Sequence, residues 1–311
     1  MKQYVISGGA GFLGSHVTKR LLGQGHKVTV FDSLVTGSLH NLDEVKDHPN
    51  LLFSKHDIRT SVHVEGLVDY VCNLASPASP ISYFQIPIQT LETNSVGTKH
   101  MLELAKEKGA RFFHTSTSEV YGDPHIHPQP ESYFGNVNPY CLRSCYDEAK
   151  RYAEALIFAY RHTYNLNTGM IRIFNTYGPY MQPDDGRVVS TFIRQALKNE
   201  DITVQGTGLQ TRSFCYVDDQ IDGMMKMIHS DEEGPINIGN PHEFSVTDLA
   251  HLVIKLTGSH SKLVSIPAAL SDPKQRRPDI SRAKQKLGWE PKIELEEGLQ
   301  KTIYWFRQIG Y

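Results

Sequence analysis

Apolar positions along this chain switch repeatedly between short unbroken runs and a spacing of three to four residues. Residues 4–7 are mostly apolar and read as a buried parallel strand, residues 15–22 carry apolar side chains at helical spacing, and 27–31 read as a second strand. A glycine-rich turn joins the first two, so this is a βαβ unit. The alternation continues with strands at 51–54 and 70–74, a helix at 88–108, a strand at 111–115 with Thr117 at its end, a helix at 144–162 and a strand at 168–173. Strands separated by helices that return the chain to the same edge predict an α/β fold, a doubly wound parallel sheet. Past Gly178-Pro179 the texture changes. A strand is predicted at 202–205, a Gly-, Thr- and Gln-rich loop at 206–212, a helix at 246–256, a Pro- and Arg-rich loop at 267–278 and a terminal helix at 295–306. No repeat or low-complexity tract interrupts the pattern.

Composition narrows the function more than the fold. The 311 residues suffice for one large core with a smaller lobe attached. With 32 basic against 34 acidic residues and a net charge of -2, no basic field exists for nucleic acid or a membrane surface, and small molecules are the expected partners. No run approaches the ~18 apolar residues of a membrane span. Met1-Lys2-Gln3 leads directly into the first strand, so no signal segment is expected and the chain is placed in the cytoplasm. Cys72, Cys141, Cys145 and Cys215 are read as reduced thiols, the Cys141/Cys145 pair as packing rather than a redox switch. His125 and His127 have no third ligand at usable spacing, so no metal is expected.

The turn after the first strand reads Gly8-Gly9-Ala10-Gly11-Phe12-Leu13-Gly14. Glycine clusters often make only turns, but this one follows a strand, opens a helix and precedes Asp32 at the end of the next strand, about twenty residues on. Gly8 would permit the turn, Gly11 close approach to a pyrophosphate at the helix N-terminus, and Gly14 the helix-to-strand contact. A carboxylate at Asp32 accepts from ribose hydroxyls and repels a 2'-phosphate, and Ser33-Leu34-Val35-Thr36 brings no arginine, so NAD is expected over NADP. Asp57-Ile58, after the third strand, is positioned to clasp the adenine. We therefore divide the chain into a Rossmann NAD-binding domain at 1–177 and a smaller, mainly substrate-binding lobe at 178–311, some of whose elements return to the first domain.

Tyr146 and Lys150 lie one helical turn apart and share a face. A lysine ammonium beside the phenol would lower its pKa and let it take a hydroxyl proton as hydride leaves for NAD. Such spacing is common by chance, but Thr117, at the carboxyl end of a central strand, adds a hydroxyl for the same substrate oxygen. Glu119, two residues on, is assigned an acid/base or substrate-orienting role. Together these residues predict an NAD-dependent sugar or alcohol enzyme.

With these residues placed, the chain resembles the extended short-chain dehydrogenase/reductase superfamily over nearly its whole length, and within it the UDP-glucuronate decarboxylases, or UDP-xylose synthases. The matching segments include Leu74-Ala75-Ser76-Pro77-Ala78-Ser79-Pro80, Arg143-Ser144-Cys145-Tyr146-Asp147-Glu148, Asp185-Gly186-Arg187-Val188, Arg277-Pro278-Asp279-Ile280 and Leu287-Gly288-Trp289-Glu290-Pro291. The resemblance implies a redox-neutral cycle: oxidation at C4 of a UDP-hexuronate, loss of the C5 carboxylate as carbon dioxide, and return of the hydride to give UDP-xylose. It implies that Thr117, Glu119, Tyr146, Lys150 and Arg276 are catalytic. It assigns NAD contacts to Gly8, Gly11, Phe12, Leu13, Asp32, Ser33, Asp57, Ile58, Leu74, Ser76, Thr93, Thr117, Tyr146, Lys150 and Thr176. UDP-sugar contacts fall to Ser118, Glu119, Asn175, Arg187, Val188, Arg212 and Arg276. A homodimer paired through the helices at 88–106 and 146–162 is also implied. A UDP-sugar 4-epimerase shares the first oxidation and is the alternative outcome, as is decarboxylation of another UDP-uronate. The related 4,6-dehydratases place an aspartate before the glutamate to expel a hydroxyl, whereas Ser118 protonates nothing at neutral pH.

Three positions depart from the family pattern: Tyr140-Cys141-Leu142 for Ile-Gly-Pro, Tyr180 for an arginine after Gly-Pro, and Glu92 for a lysine before Thr93-Asn94. The last is expected on a substrate-facing helix, where an acid would repel a uronate.

Overall fold

A strand covered on both faces needs apolar side chains pointing both ways, which is why the runs above contain little alternation. The computed structural model describes residues 1–267 and 275–311, so part of the loop predicted at 267–278 lies outside the described residues. The first half comprises β1 (Gln3–Ser7), α1 (Phe12–Gly23), β2 (Lys27–Asp32), β3 (Leu51–Lys55), β4 (Tyr70–Asn73), α2 (Pro80–Gln85), α3 (Pro87–Glu92), α4 (Thr98–Lys108), β5 (Arg111–Thr117), α5 (Ser144–Tyr164) and β6 (Thr168–Ile173). The second half adds β7 (Thr176–Tyr177), α6 (Val188–Leu197), β8 (Ile202–Gln205), β9 (Thr211–Ser213), β10 (Cys215–Tyr216), α7 (Val217–Ile228), β11 (Ile236–Ile238), β12 (Glu243–Ser245), α8 (Val246–Thr257), β13 (Leu263–Ile266), β14 (Gln275–Arg276), α9 (Ser281–Leu287) and α10 (Leu295–Gln308).

Among the described residues the central sheet has seven parallel strands in the order β11-β6-β5-β4-β1-β2-β3. It is the doubly wound parallel sheet expected. Alternate side chains feed two cores, with Ile6, Val30 and Phe113 packed with α1 and α7 on one face and Val5, Val71 and Phe112 with α4 and α5 on the other. β11 pairs with β6, so the second half of the chain supplies an edge strand to the first.

The helix predicted at 88–108 is broken. Between α3 and α4, Thr93–Gly97 forms a wide π-helical turn. Thr93 Oγ1 donates to the Gln89 carbonyl at 2.8 Å and Asn94 Nδ2 to that of Thr90 at 2.9 Å, so side chains take acceptors otherwise used by the backbone ladder. The turn brings Gly97 against Ile58 and Thr93 into the cleft described next.

In the second half, short strands form smaller sheets. β9 runs antiparallel to β12 and parallel to β14, and its register sets Arg212 beside Arg276. Apart from β8 and its four-residue partner β13, these strands have only two or three residues and show no measurable period, and the sequence pattern predicted β8 alone.

Candidate active site

The carboxyl ends of β1, β2, β4, β5 and β6 open onto one cleft of about 540 Å³. Every residue assigned above to catalysis, cofactor or substrate lines it, from Gly8 and Asp32 at one side to Arg212 and Arg276 at the other.

In the nucleotide half, Gly8 sits at φ +75° with Ala75 backbone so close that a Cβ would lie 2.7 Å from it. A Cβ on Gly14 would collide with the Gly8 carbonyl, so this glycine packs against the turn rather than the strand predicted for it. Gly11 caps α1 without a side-chain acceptor, which leaves the first-turn N–H groups to an anionic ligand. Asp32 is buried, accepts from the N–H groups of Ala10 and Leu34 at 2.9 Å each, and keeps lone pairs for a ribose. Burial pushes its carboxyl above the usual value, against the pull of those two bonds. These features fit a dinucleotide pyrophosphate and its adenosine ribose.

Asp57 lines the cleft, but Arg59 grips its carboxylate through Nε at 3.0 Å and Nη2 at 2.8 Å and holds it below the usual carboxylate range. The same guanidinium donates to Glu92 Oε2 at 2.7 Å. Glu92 therefore points to Arg59, half exposed and off the cleft wall, which corrects its expected place beside the sugar. Tyr140 and Leu142 are likewise 95% and 79% exposed, away from the cleft. Of the three departures, Tyr180 alone reaches it.

In the chemical half, Thr117 ends β5 and its Oγ1 accepts the Glu119 N–H at 3.2 Å, leaving its own O–H to donate. The Tyr146 ring stacks on Tyr83 at 5.1 Å and 6°. Lys150 Nζ donates to the Thr115 carbonyl at 2.9 Å and lies 5.9 Å from the centre of the Tyr146 ring. The electrostatics differ from expectation. Burial pushes the Tyr146 phenol up, and Thr117 supplies the main opposing pull through a hydrogen bond. Burial pushes Lys150 down to about 7, partly offset by the charge of Glu154. In the protein alone, desolvation of both groups outweighs any lowering of the phenol by the ammonium.

Beside this pair lies a second buried cluster that spacing did not predict. Arg143, at the start of α5, donates to Glu119 Oε2, and Arg276 Nη2 approaches the same oxygen at 3.3 Å. Arg276, 2% exposed, also donates to the carbonyls of Ser118 and, at 3.0 Å, Gly122. Burial alone would push Glu119 up, but the Arg276 and Arg143 charges overcome it and hold the carboxyl below its usual value. Asp147, one turn beyond Arg143, has one oxygen 3.7 Å from that guanidinium, and its pKa is raised by burial and by the charge of Glu119. Arg143 is 24 residues from Glu119, so no local spacing signals the pair. Across the cleft, Arg187 is gripped by Asp185, with Nε to Oδ2 at 2.7 Å, and its guanidinium lies 5.8 Å from the Phe12 ring.

Known proteins resemble this chain over nearly its whole length. The family described as GDP-mannose 4,6 dehydratase matches residues 5–302. UDP-glucuronic acid decarboxylase 5 of Arabidopsis thaliana is 53% identical over 296 residues, which cover 95% of this chain and 86% of that protein. The crystal structure of UDP-glucose 4-epimerase from Thermotoga maritima with UDP-glucose superposes with a TM-score of 0.90 at 31% identity, covering 99% of both chains. That of UDP-glucuronic acid 4-epimerase from Bacillus cereus, in complex with UDP-glucuronic acid and NAD, gives 0.87 at 26%, again over 99% of both. The chain belongs to the GDP-mannose 4,6 dehydratase family of extended short-chain dehydrogenases/reductases, in the group that holds the UDP-glucuronic acid decarboxylases.

Proposed function

We propose that this chain is an NAD-dependent UDP-glucuronate decarboxylase that forms UDP-xylose through a transient 4-keto sugar. The observation that carries the reading is one cleft joining Thr117, Tyr146 and Lys150 to the buried Glu119–Arg276 cluster. Bound NAD supplies a hydride acceptor that later returns the hydride. Tyr146 takes the C4 hydroxyl proton, with the Thr117 O–H holding that oxygen in place. Lys150, already near neutral titration, responds to the charge that develops on the phenol. The C4 ketone then stands β to the uronate carboxylate, and carbon dioxide leaves as an enolate forms. The enolate takes up one proton from solvent at C5, the proton consumed overall, and Tyr146 returns its own to the C4 oxygen as the hydride returns.

Arg276 acts here as a fixed positive charge facing the departing carboxylate, since a guanidinium does not release its proton. Glu119, held ionised between two arginines, orients the sugar as an acceptor rather than donating. Asn175, Arg187, Val188 and Arg212 line the side of the cleft suited to the UDP pyrophosphate. Domain 1–177 would hold the cofactor and 178–311 mainly the sugar nucleotide. Exposed apolar side chains on α3 and α5, Ile88, Leu91 and Phe158 among them, suit a homodimer paired through these helices, to be checked by sedimentation against the 35.1 kDa protomer, and a cytoplasmic location is kept as the expectation from the sequence.

Incubating the purified protein with UDP-glucuronate and NAD tests the reading. Carbon dioxide and UDP-xylose, without stoichiometric absorbance of reduced cofactor, are expected. UDP-galacturonate would instead make it an epimerase, and release of a 4-ketopentose with NADH would break the redox-neutral cycle.

A further inference from the structure

Two segments far apart in sequence meet at the cofactor half of the cleft. One follows β2, where Ser33, Thr36 and Asn41 line the cleft; the other opens the second half of the chain, where Tyr180, Met181 and Gln182 line it. The first segment is tied to the glycine turn, with Ser38 N–H and Asn41 Nδ2 both donating to the Ala10 carbonyl at 3.0 and 2.9 Å. Its ties to the second are side-chain bonds. Gln182 Nε2 donates to the Thr36 carbonyl at 2.7 Å, and the Tyr180 hydroxyl donates to Glu44 Oε1.

Tyr180 adopts φ +68°, a left-handed conformation in which a bulky side chain is strained. Such a conformation persists only where the surroundings hold it. Here Lys19 Nζ lies 3.7 Å over the ring centre, His16 meets the ring edge-on at 5.2 Å and Trp305 tilts against it at 5.5 Å. Lys19 also pairs with Glu44 at 3.2 Å, so Tyr180, Lys19 and Glu44 contact one another in a closed triangle. Lys19 and His16 belong to α1, whose N-terminus opens on the pyrophosphate site. An arginine at 180 would set a like charge over Lys19; the tyrosine offers it a π-face instead.

We propose that Tyr180 and Glu44 form a latch across the cofactor site that slows escape of the bound dinucleotide. Opening it leaves the 33–44 segment with one fewer tie to the far wall. The inference rests on the proposed redox-neutral cycle, in which a cofactor lost in its reduced form would strand the keto sugar.

The test is the dissociation rate of NADH, displaced from the whole protein by excess NAD and followed by loss of nicotinamide fluorescence. Tyr180→Phe keeps the ring against Lys19, His16 and Trp305 and removes only the hydroxyl; Glu44→Ala removes its acceptor. Each is expected to speed dissociation roughly three- to tenfold, the range of a partly exposed bond to a charged acceptor. The double variant should be about as fast as the faster single, because both remove the Tyr180–Glu44 bond. Thermal melts confirm that each variant is folded. Unchanged rates in both variants, or a rise in only one, overturn the latch. Failure of the unaltered enzyme to form UDP-xylose would overturn the proposed function, yet leave this comparison of rates intact.

Discussion

Tyr146 with Lys150 and Glu119 with Arg276 share one cleft, largely out of solvent, yet their charges are managed in opposite ways. Lys150 hydrogen-bonds a backbone carbonyl, and the carboxylate of Glu154 that faces it is already gripped by Arg172 at 2.9 and 2.7 Å. Burial therefore decides, and both members of this pair lean toward their neutral forms. Glu119 is met by two guanidinium groups, and pairing overrides burial. One region holds a lysine that titrates near neutral pH, while the other keeps fixed charges suited to the substrate-orienting role proposed for it. Depth of burial alone does not indicate which outcome a group will have; the partner within hydrogen-bond reach does.

The strongest way to break this contrast is to remove the hydroxyl proposed to take the substrate proton. Tyr146→Phe keeps the ring stacked on Tyr83 and takes away only the hydroxyl. UDP-xylose formation should fall by about 10³-fold or more in kcat, within the usual range for a general base, while NAD binding persists. Initial rates by chromatography check it, and a loss under tenfold would shift the proton transfer to another group.

On the fixed-charge side, Arg143→Met leaves Glu119 with Arg276 alone. Stripping one partner from a buried ion pair costs about 3–5 kcal/mol, reduced here to about 2–3 by the remaining guanidinium, which is a fall in Tm of roughly 5 °C or more. The pH dependence carries a sign. Glu119 in the folded protein lies below its ordinary value of 4.5, so its stabilisation is present above that pH and lost as pH falls through the folded value. Without Arg143 the folded value rises, and acid unfolding should begin at higher pH than in the parent.

Lys150→Met reverses the usual direction of an active-site mutation. The lysine falls from 10.5 unfolded to about 7 folded, so between those values the unfolded chain binds the extra proton and parent stability rises with pH. Below about pH 7 the full penalty is present. The variant should then be more stable by roughly 1–3 kcal/mol, with the gain shrinking toward pH 10, while turnover collapses. Urea melts at acidic and alkaline pH read the slope; a variant less stable than the parent at low pH would place a compensating charge on Lys150.

How far the sequence revealed this contrast depended on distance along the chain. Parallel strands are legible from short apolar stretches such as Tyr4-Val5-Ile6 in Gln3–Ser7 and Phe112-Phe113 in Arg111–Thr117, the latter flanked by buried polar residues that the site uses. Tyr146 and Lys150 are legible because four residues on a helix share a face. The clamp on Glu119 is not: Arg143 and Arg276 reach it from 24 and 157 residues away, one of them from a two-residue strand. The wide turn at Thr93–Gly97 was hidden for a different reason, since Thr and Asn side chains rather than apolar spacing produce it. Local periodicity therefore gave the scaffold and the Tyr146–Lys150 pair, and tertiary pairing set the fixed charges.

Glu92 offers the smallest effect and the sharpest check on where that second region ends. Its sequence position suggested an acid against a uronate, but its carboxylate instead closes the Asp57–Arg59–Glu92 chain with half of its side chain in water. An exposed ion pair of this kind contributes about 0–1 kcal/mol, screened further by salt. Glu92→Gln should therefore change stability by less than about 1 kcal/mol, a difference erased in high salt, and leave KM for UDP-glucuronate within about twofold. A tenfold fall in KM would mean that the charge does reach the uronate across the cleft, and the fixed-charge region would then extend from Glu119 to α3.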